Sequence, residues 1–331
     1  MRTTAASSTG SFLDTLVPPP SALPDVLPTE RLNKRGMPVR ELRDDLRRIP
    51  NLRNGVAVVS CLAQTVGVVV LAAVIGTWWA WLAAFVLMGR GHAMLNSLAH
   101  EAAHRLLFTN RRANDLVGRW LLGYPSFTAV MAYRRAHMSH HRDELGPEEP
   151  DLALYAGYPV PADSWRRKLR RDATGVSAYK NVRSMIRGAR AGSRELRQVL
   201  ALHAVALVVC VVLGQPLAYV VWFASWATLW KVVNRLRAIA EHGGMVRSPD
   251  RRLTTHVIRQ RPLARFYLVP YNIGWHLAHH ADMGVPWNRL PELHRELVDS
   301  GWVTEEITYP NYRAFWKACS SGAPRARHTA A

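Results

Sequence analysis

Between Asn54 and Gly89 lie 36 consecutive residues with no Asp, Glu, Lys or Arg. A run of that kind has to be covered by protein or by lipid. As one helix it would measure about 54 Å, too long for a single hydrocarbon core of about 30 Å. "IGTWW" (Ile75–Trp79) offers a break of small residues and interfacial tryptophans. Two spans are therefore expected, near 55–75 and 77–97, joined by a very short turn. A second charge-free run of 33 residues, Gln198–Trp230, is interrupted by "LGQPL" (Leu213–Leu217), which predicts spans near 198–214 and 216–236. Lys231 and Arg235 can extend the last by snorkelling. The expected fold is all-α: an integral membrane protein of four spans in two hairpins.

Charge placement orients it. The chain carries 43 Lys and Arg against 24 Asp and Glu, a net charge of +19. Neither hairpin turn has a basic residue, whereas 105–197 holds 18 Lys and Arg against 9 acids and 1–54 holds 9 against 6. The positive-inside rule then places both termini and the long loop on the cytoplasmic side, with the cytoplasmic membrane the expected location. The basic excess reads as a topology signal and as attraction to an anionic membrane surface. It lacks the interleaved aromatics of a nucleic-acid binder, so no nucleic-acid partner is expected.

No apolar stretch in 1–54 resembles a secretory signal. Residues 1–36, with "VPPPSALP", read as a flexible N-terminal tail, 37–310 as the membrane domain and 311–331 as a C-terminal tail. Three cysteines (Cys61, Cys210, Cys319) form no CxxC and no cluster-binding spacing. Cys61 and Cys210 sit in apolar runs as small hydrophobes.

Nine of the 14 histidines fall in four places: "HEAAH" (His100, His104), "HMSHH" (His137, His140, His141), "EHGG" (His242) and "HLAHH" (His276, His279, His280). On a helix, i and i+4 differ by about 40°, and i, i+3 and i+4 lie within about 100°. Each set is thus expected to present convergent imidazoles on the cytoplasmic side, in a histidine-rich helical cap. So many clustered rings without metal would leave ring nitrogens unsatisfied and repel on protonation. The scattered His92, His203, His256, His294 and His328 read as packed structural residues.

"HEAAH" alone is H-E-x-x-H, the zinc-hydrolase signature, with Glu101 as base. A catalytic zinc needs three protein ligands and water. Nine histidines suffice for two ions of higher coordination, and imidazole suits Fe, Zn, Cu and Ni alike. The spacing does not choose among them.

The order H-x-x-x-H, H-x-x-H-H, an isolated His after the fourth span and a final H-x-x-H-H resembles the membrane fatty acid desaturase superfamily, which also holds alkane and carotenoid hydroxylases. "HEAAHRLLFTN" looks like its first box and "WHLAHHADMGVPWNRLPELH" (Trp275–His294) like its C-terminal block. The resemblance covers roughly 50–300. It implies a non-haem centre of two iron ions (Fe2+/Fe3+) with O2 as co-substrate. Iron ligation carries over to His100, His104, His137, His140, His141, His242, His276, His279 and His280. Glu101, Asp151 and Glu241 are the expected acceptors for ligand ring N–H groups. The family's acyl-CoA branch has an Asn one helical turn before the isolated His. Here that position is Ala238, with Asn234 a turn further back.

The implied reaction is O2-dependent desaturation of a fatty acyl or similar alkyl chain drawn from membrane lipid. The alternatives are hydroxylation of an alkyl, terpenoid or small amino-acid-derived substrate, and a membrane zinc hydrolase using "HEAAH". A non-enzymatic metal-binding or transport protein ranks low, because few ionisable groups fall inside the spans. The oxidation needs two electrons per turnover. The chain has no plausible nucleotide fingerprint, no ferredoxin cysteines and no fused haem motif. A separate donor is therefore expected, a ferredoxin or a cytochrome b5-like protein with its reductase.

Overall fold

The computed structural model describes residues 16–322. Helix α1 (Asn51–Ile75) starts behind Pro50 and stops where Gly76 takes a left-handed conformation, φ 69°. After Thr77, α2 (Trp78–Ala103) runs back alongside it. A two-residue turn leaves antiparallel packing as the only arrangement. The second charge-free run forms α6 (Arg194–Val212), capped by the Ser193 hydroxyl, and α7 (Pro216–His242). The break at Leu213–Gln215 has Gly214 at φ 68° and Pro216 in the first helical turn. Valines and leucines such as Val56, Val70, Val74, Val208 and Val212 project outward from α1 and α6. Outward-facing aliphatics match a lipid environment.

Among the described residues three helices are long and apolar enough to cross a membrane: the one ending at Ile75, α6 and α7. The sequence leads one to expect four. The other candidate, α2, is long enough at 26 residues, but Trp78, Trp79, Trp81, Arg90 and His92 lower its mean hydropathy. It also continues six residues past the expected end at 97, and that extension carries His100.

Between the hairpins lie α3 (Val130–Arg142), α4 (Ala162–Ala173) and α5 (Val176–Arg190). After α7 come the short α8 (His276–Ala281), α9 (Leu290–Asp299) and α10 (Tyr312–Cys319). A two-stranded parallel pair, Val257–Ile258 with Thr308–Tyr309, is the only sheet among the described residues. The expected tails are shorter than the sequence suggests. Residues 1–15 and 323–331 lie outside the described residues, His328 among them. From Leu16 onward the chain packs: Leu16 joins the core around Trp226 and Ile239, and Leu32 joins the one around Leu290, Leu293 and Leu297. At the other end Phe315 and Cys319 of α10 are fully buried. Apolar side chains of this size gain too much by leaving water to stay in a solvated tail.

Candidate metal centre

Four elements bring the nine histidines together. His100 lies in the last turn of α2, and His104 caps its C-terminus. His137, His140 and His141 stand on α3, His242 ends α7, and His276, His279 and His280 stand on α8. The side-chain donors fall into two groups, each with its donor atoms within 4.8 Å of one another. One holds His100, His104, His137, His141 and His279; the other holds His140, His242, His276 and His280. Eight of the nine are buried and His104 is half-buried.

Each three-histidine box is therefore divided, where the sequence suggests a single donor set per box. "HMSHH" gives its i, i+4 pair, His137 and His141, to the first group and His140 to the second. "HLAHH" does the reverse: His276 and His280 go to the second group and His279 to the first. The cause is helical geometry. Residues i and i+4 share a face, while i+3 points about 80° away from their midline.

The Nε2 atoms face one another. His137 Nε2 is 2.9 Å from that of His100 and 3.1 Å from that of His141, and His141 Nε2 is 3.1 Å from that of His279. In the second group His276 Nε2 is 3.0 Å from both His242 Nε2 and His280 Nε2. A ring nitrogen offers one hydrogen or one lone pair, so His137 and His276 cannot hydrogen-bond two such neighbours at once. A shared cation resolves the conflict. At a metal–nitrogen distance of about 2.1 Å, ligands 90° apart sit about 3.0 Å from each other and tetrahedral ligands about 3.4 Å. The observed spacings fit the former.

The opposite ring nitrogens are anchored. His140 Nδ1 donates to Glu149 Oε1 at 2.5 Å, His242 Nδ1 to the Thr254 carbonyl at 2.8 Å, and His280 Nδ1 to Glu144. Such acceptors fix the tautomer with the Nε2 lone pair turned inward. Of the three expected acceptors, Glu101 lies 3.7 Å from His100 Nδ1 and Glu241 lies 3.8 Å from His276 Nδ1. Asp151 makes no side-chain hydrogen bond to any of the nine. Sequence reasoning missed Glu144, Glu149 and Thr254. The acidic "DELGPEEPD" after "HMSHH" is the signal that could have found the first two.

Burial, reinforced by neighbouring imidazoles, holds His137, His141, His279 and His280 well below the usual histidine pKa. These rings offer lone pairs rather than protons. At His140 burial acts in the same sense, but Glu149, joined by Glu144 and Asp151, outweighs it and raises the pKa. Proton and metal compete most directly there. The other described histidines are structural: His92, His203 and His256 each bond a backbone carbonyl, of Trp222, Tyr124 and Gly243 respectively, and His294 packs on Trp275.

Comparison with known proteins shows the family. Residues 76–310 match the fatty acid desaturase family. The chain belongs to that family. A curated relative, the dihydrorhizobitoxine desaturase of Bradyrhizobium elkanii, is 37% identical over 87 residues, 26% of this chain and 25% of that protein. The chain thus spans about a quarter of that relative's length. Both histidine groups fall inside the region that matches the desaturase family.

Proposed function

We propose that this desaturase-family chain is an O2-dependent oxidase with two iron ions, one in each histidine group. The observation that carries the reading is the convergence of Nε2 atoms that cannot satisfy one another. Bound iron would supply O2 activation and removal of hydrogen from an unactivated carbon. Desaturation balances as a CH2–CH2 unit, O2, two electrons and two protons giving a CH=CH unit and two waters. Hydroxylation would instead leave one oxygen on the product. The protein's own task is positional: it fixes His280, His140 and His242 through Glu144, Glu149 and the Thr254 carbonyl and buries the rings of the cluster away from bulk water.

A zinc hydrolase built on "HEAAH" fits less well. Glu101 lies on the Nδ1 side of His100, away from the converging Nε2 atoms, and its Oε2 accepts from the Trp287 backbone N–H at 3.0 Å. A general base there would face no water held by the cluster. Four spans, with α2 crossing despite its tryptophans, and both termini on the cytoplasmic side remain the topology that the charge asymmetry supports. The proposed electron donor is a separate ferredoxin or cytochrome b5-like protein. The exposed Arg166, Arg167, Arg170 and Arg171 on α4 offer it a basic surface.

A fatty acyl chain is the substrate that family membership suggests. A small amino-acid-derived substrate is the second reading, and the charged side chains in the wall of the cavity beside the site favour it. Metal content, O2 uptake and product mass test the proposal together. Two irons per chain, O2 consumed with substrate and a product lighter by two hydrogens are expected. One zinc per chain, with function intact in His276→Ala, would refute it.

A further inference from the structure

Two large cavities meet at a pair of stacked rings, and they differ in chemistry. One, of about 690 Å3, lies among α1, α6 and α7 and is lined by residues such as Leu62, Val66, Val209 and Leu213. The other, of about 660 Å3, lies one layer of side chains from the centre. No site histidine lines either cavity. Among its lining residues, Tyr133 stacks on His137 with ring centroids 5.2 Å apart, and Arg237 pairs with Glu241 beside His276. Phe127 lines the second cavity and His203 the first, and their rings stack at 3.4 Å, forming a partition between them.

The cavity beside the centre carries charged side chains in its wall, which an acyl tunnel would lack. Its wall holds Lys231 and Asp151, and neither makes an ion pair or side-chain hydrogen bond among the described residues. The Lys231 ammonium lies 4.0 Å from the Trp226 ring centroid, a contact that leaves its hydrogens free for an anion. A π-helical turn, Trp226–Trp230, precedes Lys231 directly, and Trp226, Trp230 and Lys231 all line the cavity. Turns of this type recur at functional sites because they re-aim side chains. Arg171 and Lys180 also line the cavity but are exposed, whereas Lys231 and Asp151 are half-buried. An alkyl chain filling this space would strip water from that cation and that anion and return nothing to either. A molecule with both charges satisfies both. Apolar lining from Phe127, Leu154 and Met185 leaves room for a short alkyl portion.

We propose that this cavity takes a small zwitterion, an amino acid or close derivative, with Lys231 binding its carboxylate and Asp151 its ammonium group. The proposal rests on the oxidase reading above and names its substrate class. Calorimetric titration of the purified protein in detergent tests it, with iron content measured on each preparation. The probes are straight-chain L-amino acids of four to eight carbons, hexanoate, pentylamine and palmitoyl-CoA. At least one amino acid is expected to bind, with hexanoate and pentylamine each at least about tenfold weaker. Lys231→Met and Asp151→Asn should each weaken amino-acid binding by about tenfold or more, and Lys231→Arg should restore most of it. Binding of palmitoyl-CoA with no amino acid bound, or amino-acid binding unchanged in both charge-removing variants, overturns the proposal. If two irons are present and no amino acid binds, the substrate inference alone fails. If the wild type takes up no iron, the oxidase reading fails whatever the titrations show.

Discussion

Replacing Glu144 by Gln probes the two-group arrangement most directly. The side chain is buried and joins three elements: Oε1 accepts from His280 Nδ1 and pairs with Arg251 Nη1 at 2.5 Å, while Oε2 accepts from the Thr254 hydroxyl at 2.5 Å. The amide keeps the shape and loses the charge. One amide oxygen cannot replace a carboxylate for both Arg251 and His280, so His280 loses its firm orientation. Loss of a partner behind a metal-binding histidine typically costs 10–100-fold in metal affinity, about 1.4–2.7 kcal/mol. The loss should fall on the four-histidine group, because His280 belongs to it. Iron content measured by mass spectrometry after dialysis against a graded chelator should show one iron leaving 10–100-fold more readily than in the wild type, with the other unchanged. Parallel loss of both irons, or no change in either, would refute the assignment of His280 and Glu144 to one separable group.

Four further outcomes are expected. His276→Ala removes one of four donors and His279→Ala one of five, so the former should lower iron per chain more, by elemental analysis. Gly118→Ala would place its Cβ 2.5 Å from Ala102 Cβ, beside His104. It should destabilise the fold by about 1–3 kcal/mol in thermal unfolding and loosen iron. Burial lowers His256 and His294 to about 4, against about 6.5 when unfolded. Their neutral forms therefore contribute stability that is complete above pH 6.5 and is lost as pH falls toward 4. The melting midpoint of the metal-free protein should fall on acidification from pH 7 to 4.5, and a rise would contradict the reasoning. Neutralising Arg166, Arg167, Arg170 and Arg171 should slow donor-driven turnover at low ionic strength and matter less at high salt, by stopped-flow reduction.

Much of this protein is written locally. The uninterrupted apolar runs give the hairpin helices, because a chain without charges must avoid water and Gly76 and Pro216 leave few places to turn. The nine histidines are equally visible, since their spacing puts each set on few helical faces. Mean hydropathy divides α2 from the other long helices only once its full extent is known, because the same helix that begins among tryptophans goes on to carry His100. Leu16 and Phe315 look like tail residues until their burial partners, distant in sequence, are in place.

What the sequence determined by itself was the supply of donors and the helices that carry them. Only the tertiary structure decided how those donors are shared. His141 meets His279 across 138 positions of chain, and His280 finds Glu144 across 136. Helical periodicity fixes the angle between neighbours on one helix, but not which face of another helix they will meet. The meeting of α3 with α8 sets that, so the angular offset within each box is what divides it between the two groups.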